Sequence, residues 1–293
     1  MDDDGTIDVV SGTFYLGGRL ATEDIGSVNT SPSGNFYISG TVDNAGTRLD
    51  LGAPVQLHGG TVEGGTIDGG VHVVENGSWL KGTEVNGAIT FVDEKLLRIR
   101  DGLTLNTDLA LGQYDKVRFD GGRQVLDGAA GTEIVLSEDY TNYNRYAELG
   151  LDSYTELTIE SNMTVRGYGY VGSVGTNSGV HSTLVLRGTL RADSGSTSDD
   201  LYVRPDHFTN EGTVEAVANS ELHFDSGCDV TNVDGTRLTG GTWSVADSGT
   251  INLPGSPQVV TNAATVKLSG SAASFAPLSA LAVNEGTLEL SNG

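Results

Sequence analysis

Short runs of strict polar–apolar alternation recur along the chain. Thr6-Ile7-Asp8-Val9 and Thr13-Phe14-Tyr15-Leu16 show it near the start. Thr250-Ile251-Asn252-Leu253, Thr265-Val266-Lys267-Leu268 and Thr287-Leu288-Glu289-Leu290 show it near the end. A period of two sends one set of side chains inward and the other into water, which is the signature of a half-buried β-strand. No stretch holds apolar residues at i, i+3, i+4 and i+7 over three turns, so helical repeats and leucine-rich repeats fit poorly.

The strands fall on a beat. Asn210, Asn232, Asn262 and Asn284 each stand just before a Gly-Thr or Ala-Thr pair, at intervals of 22, 30 and 22. The long interval holds an extra phrase, Gly240-Gly241-Thr242-Trp243-Ser244-Val245. Gly40, Gly60, Gly82, Gly102 and Gly122 mark a similar beat, with steps of 20, 22, 20 and 20. Periods of this size indicate a solenoid. Short strands and turns rich in Gly, Asn and Ser predict the all-β class. The architecture expected is a right-handed parallel β-helix of about 20–22 residues per coil, forming one domain over residues 1–293. With strands ~4.8 Å apart, about fourteen coils would make a rod on the order of 65 Å long. Glycine supplies the corner and threonine opens the strand. Asn210, Asn232, Asn262 and Asn284 would pass side-chain hydrogen bonds up the stack as a structural ladder, or else simply favour turns.

Several phrases share one idiom: LTIESNMTVRGYGYVGS (Leu157 to Ser173), FTNEGTVEA, LTGGTWSV, INLPG, GGTVEGGTIDGG (Gly59 to Gly70) and DGLTLN (Asp101 to Asn106). From about Gly40 onward the chain resembles the repeat segments of large bacterial extracellular proteins, the adhesin-like or autotransporter-passenger-like right-handed β-helices. That resemblance implies a structural or adhesive role at the cell surface or in the extracellular matrix. It carries no catalytic motif and transfers no functional residue. MDDDG has neither the basic nor the apolar region of a signal peptide, and LELSNG ends on a strand without a cap. Both ends fit a segment of a longer solenoid, whose partners would be neighbouring segments or further copies joined end to end.

Charge narrows the function classes. Thirty-nine acidic against 16 basic side chains give a net charge of -23. Such a surface repels phosphate, so no nucleic-acid partner is expected, and it collects cations, so diffuse Ca2+ binding is expected without a defined cofactor. No apolar run is long enough to span a bilayer, so no membrane insertion is expected. Cys228 is the single cysteine, which excludes an intrachain disulfide and points to a small buried hydrophobe.

Three interruptions of the beat hold the candidate chemistry. Ser137 to Tyr154 reads as a projecting loop insertion carrying Tyr140, Tyr143, Tyr146 and Tyr154, whose rings would stack on sugar faces or anchor the loop. Arg98, Arg100 and Arg118 belong to a basic island; one step of the glycine beat places Arg118 above Arg98 and Asp120 above Arg100. That island reads as a ladder of surface ion pairs, or alternatively as a groove for an anionic sugar. Asp199, Asp200, Arg204, Asp206 and His207 crowd into one short segment. Carboxylates on calcium beside an arginine base would make a polysaccharide-lyase-like site, with His181 and Asp225 as the nearest support; a solvated turn is the plainer reading. The five histidines show no metal-ligand spacing in sequence, so no metal centre is expected.

Overall fold

The computed structural model describes residues 5–112, 114–137, 146–174, 181–196 and 199–292. Among them the helical segments are two short 3-10 turns, Thr22–Asp24 and Ala276–Ala280. Strand pairing is parallel throughout, apart from the brief antiparallel contact of Val233–Asp234 with Arg237–Leu238. The chain is a parallel β-solenoid of about 12 turns.

In its middle part each strand pairs with the third strand after it, so every coil has three faces. Thr132–Leu136 pairs with Met163–Gly167, Glu148–Leu151 with Gly169–Ser173, and Thr155–Ile159 with Thr183–Leu186. The face that includes Glu148–Leu151 is called the first face below. Lower down, two long strands, Ser78–Val85 and Leu96–Leu105, each serve two faces, and the pairing between them shifts register between Lys81 and Thr83. Higher up the two faces part: Leu96–Ile99 continues into Lys116–Phe119, while Leu103–Leu105 continues into Leu126–Gly128.

Alternation turns into columns. Val117, Leu149, Val171, Val203 and Phe224 stack in register inside the first face, and all are buried. Each inward side chain thus meets its equivalent one strand spacing away, so a low apolar content still closes a continuous thin core. Aromatic groups fill the core near the upper end. Trp243 is fully buried, with its ring centroid 6.1 Å from Phe275 and 6.2 Å from Phe224.

The coils are less uniform than the glycine beat suggests. Val55 pairs with Val71, whereas Lys116 pairs with Glu148, so the second coil takes up twice as much chain as the first. Longer middle coils leave room for about 12 turns rather than about fourteen. Of the 137–154 interval, residues 138–145 lie outside the described ones. Glu148–Leu151 within it is a strand of the first face with all four residues buried, so that stretch is not part of a projecting loop.

The asparagine corners form two short ladders. Asn232 Oδ1 accepts from the Asn210 N–H at 2.7 Å, and Asn232 Nδ2 donates to the Asn210 carbonyl at 3.0 Å. Asn262 Nδ2 donates to Asn284 Oδ1 at 2.7 Å. Register aligns Asn262 with Leu238 and not with Asn232, so the extra phrase separates the two pairs. Gly241 sits against this corner at φ +60, where a Cβ would come within 2.4 Å of Asn210 Cγ; only glycine fits. A further ladder joins Asp68, Asn86 and Asn106: Asn86 Nδ2 donates to Asp68 Oδ1 and Asn106 Nδ2 to Asn86 Oδ1, both at 2.6 Å.

Candidate functional site

Two outward rows climb the first face. One runs in register through Lys116, Glu148, Tyr170, Tyr202, His223 and Asn252. The other runs through Trp79, Arg98, Arg118, Gly150, Gly172 and Arg204. Because coils repeat at about the thickness of an aromatic contact, rings at equivalent positions stack. Tyr170 and Tyr202 lie 5.3 Å apart between centroids, and Tyr202 and His223 lie 5.5 Å apart and 19° from parallel. Tyr146 adds an edge contact 4.7 Å from Tyr170.

The two glycines of the second row open a notch beside these rings. A Cβ on Gly150 would lie 2.6 Å from Glu148 Oε1 and 3.0 Å from Arg118 Cγ. Its absence lets the Glu148 carboxylate, only 8% exposed, fold across the strand between two guanidinium groups. Arg118 Nε donates to Glu148 Oε1 at 2.9 Å, and Arg204 Nη2 lies 3.9 Å from Oε2. The Arg204 guanidinium carbon is 3.8 Å from the Tyr170 ring centre, a close cation–π contact. Arginine suits this position because its planar group can face a ring and a carboxylate together.

At the upper end of the strip the sign of charge reverses. Asp200 precedes the strand Leu201–Arg204, and register sets it level with Glu221 on the next coil. His223 Nε2 lies 2.8 Å from Glu221 Oε2 and 3.5 Å from Asp200 Oδ2. The Tyr202 hydroxyl donates to Asp200 Oδ2 at 2.9 Å. Burial first, and then this bond to a carboxylate, push the Tyr202 phenol well above its ordinary value, so it stays a donor. Open concavities flank the strip: one of about 430 Å3 touches Tyr114, Lys116 and Arg118, and one of about 290 Å3 touches Asn252, Leu253 and Pro277.

The residues singled out from sequence are distributed as follows. Tyr140 and Tyr143 lie outside the described residues. Tyr146 joins the ring stack, whereas Tyr154 is 69% exposed on a turn, 5.4 Å from His181. Arg98 pairs with Asp152 at 2.6 Å, Arg100 with Asp120 at 3.0 Å and Arg118 with Glu148; Arg98 and Arg100 also flank Trp79 at 5.4 and 5.3 Å. The lyase-like group scatters. Asp199 is buried, Asp200 faces Tyr202 and His223, and Arg204 lies on Tyr170. Asp206 accepts from the Ser182 N–H at 2.8 Å, and His207 pairs with exposed Asp229 at 3.1 Å. Cys228 is buried, which pushes its thiol up to about 12 and removes it as a nucleophile near neutrality.

Glu148, Tyr170, Tyr202, Glu221, His223 and Asn252 were not reached by sequence reasoning. His223, flanked by Leu222 and Phe224, reads as an unremarkable outward residue. Its register partners, Tyr202 and Asn252, stand on neighbouring coils of unequal length, and no constant period links them. Two aromatic-containing strands of the same polar–apolar pattern, Leu201–Arg204 and Glu221–Phe224, were the available signal. Compared with protein-family models, curated proteins and solved structures, the chain matches none.

Proposed function

We propose that this chain is a non-catalytic, structural and adhesive solenoid module of a bacterial cell-surface or extracellular-matrix protein. The observation that carries the reading is the parallel ladder on the first face, followed in register from Arg19–Ala21 to Thr250–Asn252. A body bonded this way resists bending and holds whatever is attached at its ends at a set separation. About 12 turns at ~4.8 Å amount to a spacer on the order of 55–60 Å. The scatter of Asp199, Asp200, Arg204, Asp206 and His207 onto separate partners supports the non-catalytic part, since general acid–base chemistry needs its groups within reach of one substrate atom. The acidic surface keeps such a module soluble and repels anionic polymers.

A second reading, carbohydrate binding, is favoured by one feature only, the row of Tyr146, Tyr170, Tyr202 and His223. One experiment separates the two. The chain is incubated with pectate, alginate and glycosaminoglycans, and unsaturated products are followed by ultraviolet absorbance while retention on the same glycans is measured. Neither turnover nor retention is expected. Turnover lost in Arg204→Ala would overturn the structural reading, and retention lost in Tyr202→Ala would replace it with glycan binding.

A further inference from the structure

Three ligand-type atoms converge at the upper end of the first face. Asp200, Glu221 and His223 each offer one ligand atom, and these three atoms lie within 4.8 Å of one another. The imidazole nitrogen is 2.8 Å from one carboxylate oxygen and 3.5 Å from the other. Bonds of ~2.0–2.1 Å to a tetrahedral ion place ligand atoms ~3.3–3.4 Å apart. The two measured separations bracket that edge, so small side-chain adjustments would seat an ion. The spacing is set by the backbone, since Asp200 and Glu221 are level on consecutive coils and His223 follows two residues after Glu221 on the same outward side.

The surroundings are those of a supported site. The Tyr202 hydroxyl fixes Asp200 Oδ2, and its ring lies nearly parallel to the imidazole. Asn252, next in the same outward row, holds its Nδ2 3.3 Å from Glu221 Oε2 and 3.2 and 3.4 Å from the two imidazole nitrogens. Polar neighbours of this kind, like the Tyr202 hydroxyl on Asp200, orient the ligands of a metal site. A second observation points the same way. Asp200 Oδ1 is buried and has no hydrogen-bond partner among the described residues, and the ion pairs of Asp200 and Glu221 there are with His223 alone. A buried, unpaired carboxylate oxygen is costly, and a cation held by the Asp200 carboxylate offsets that cost in part. By contrast His207 faces a single exposed carboxylate, Asp229, which is no chelate.

We propose that Asp200, Glu221 and His223 bind one divalent transition-metal ion, with Zn2+ matching the geometry and a fourth position left to solvent. One imidazole with two carboxylates suits Zn2+ and its first-row neighbours, whereas Ca2+ takes six to eight oxygens that this strip does not assemble. The site is independent of the structural role, because a bound ion would clip two coils together without any substrate.

The test uses the full chain, stripped with a chelator and titrated with Zn2+ by calorimetry, with Co2+ absorbance reporting coordination geometry. Expected are one equivalent bound, tetrahedral Co2+ bands, and an affinity lowered at least about tenfold in His223→Ala and in Asp200→Asn. His207→Ala is expected to bind like the parent chain. The double variant Asp200→Asn, Glu221→Gln preserves side-chain shape and carries the test should His223→Ala misfold, as checked by circular dichroism. Absence of saturable Zn2+ binding, undiminished binding in these variants, or Ca2+ binding more tightly than Zn2+ would each overturn the proposal.

Discussion

Between Trp79 and Glu148 the first face sets each outward guanidinium against a carboxylate one or two coils up: Arg98 on Asp152, Arg100 on Asp120, Arg118 on Glu148. Between Asp200 and Asn252 the same face gathers two carboxylates around an imidazole, with no guanidinium paired to them among the described residues. The backbone is the same in both regions, and so is the stacking. What differs is compensation. A solenoid brings equivalent side chains within a strand spacing whether or not their charges agree, so Arg98 sits directly beneath Arg118. In the lower region each cation has its own anion and the like-charge contact is tolerated. In the upper region no guanidinium or ammonium among the described residues pairs with the two carboxylates, and the imidazole alone stands between them.

The largest effect is expected at Glu148. Removing this carboxylate in Glu148→Ala leaves Arg118, 17% exposed, and Arg204, 18% exposed, facing each other without their anion. Breaking a buried pair from one side costs about 3–5 kcal/mol, and the residual exposure of both guanidiniums puts this one near ~3 kcal/mol. The thermal midpoint is expected to fall by roughly 6 °C. Glu148→Gln, which keeps the shape and a hydrogen-bond acceptor, should fall less. A midpoint unchanged in Glu148→Ala would mean that the triad contributes nothing and that the two regions do not differ in the way described.

A carboxylate removed from the upper region should act in the opposite direction. In the metal-free chain Asp200→Asn keeps an oxygen for the Tyr202 hydroxyl and deletes one of two facing negative charges. Like charges set opposite each other on adjacent strands destabilise by up to ~1 kcal/mol, so the midpoint should hold or rise by about 2 °C. Differential scanning calorimetry of both variants gives the sign directly. A fall for Asp200→Asn comparable to that of Glu148→Ala would show that the carboxylate is already compensated.

How much of this was legible beforehand divides along the same line. The inward columns were readable because alternation and burial follow one rule, so Thr265-Val266-Lys267-Leu268 is recognisable as a strand on its own. The Arg98–Arg118 register was readable because that coil keeps the step of the glycine beat. Higher up the coil length changes from one turn to the next, as Lys116 meets Glu148, Glu148 meets Tyr170 and Gly169 meets Leu201. An outward partner can be named only when the coil length is known, and variable corners hide that length. Asp200 and His223 therefore stood in separate phrases, while Asp206 and His207, adjacent to Arg204 in sequence, were carried round a corner onto another face. Proximity along the chain was a poor guide in a fold whose contacts are made one coil apart.

The smallest effect belongs to the exposed pairs lower on the first face, and it is read through pH. Glu63 is held below the usual carboxylate range chiefly by the hydrogen bond from Lys81 Nζ at 2.7 Å, with Arg19 adding to it and partial burial opposing it. Asp68 is lowered in the same way, first by Asn86 and then by Arg48. A carboxylate lowered in the folded state takes up its proton more readily when unfolded. Its contribution is therefore complete above the unfolded values of ~4.3 for Glu and ~3.9 for Asp, and it is lost as pH falls through the folded value. Asp115 runs the other way: burial raises it, so acid favours its folded form. Lys81→Gln deletes the largest cause acting on Glu63, and with side chains 30% and 25% exposed the pair contributes about 1 kcal/mol or less. The parent chain should melt slightly above Lys81→Gln at pH 7, by no more than about 2 °C, and the gap should close by pH 3. A gap that stays constant, or widens in acid, would mean that Lys81 acts through packing of its stem and that charge compensation is not what orders this part of the face.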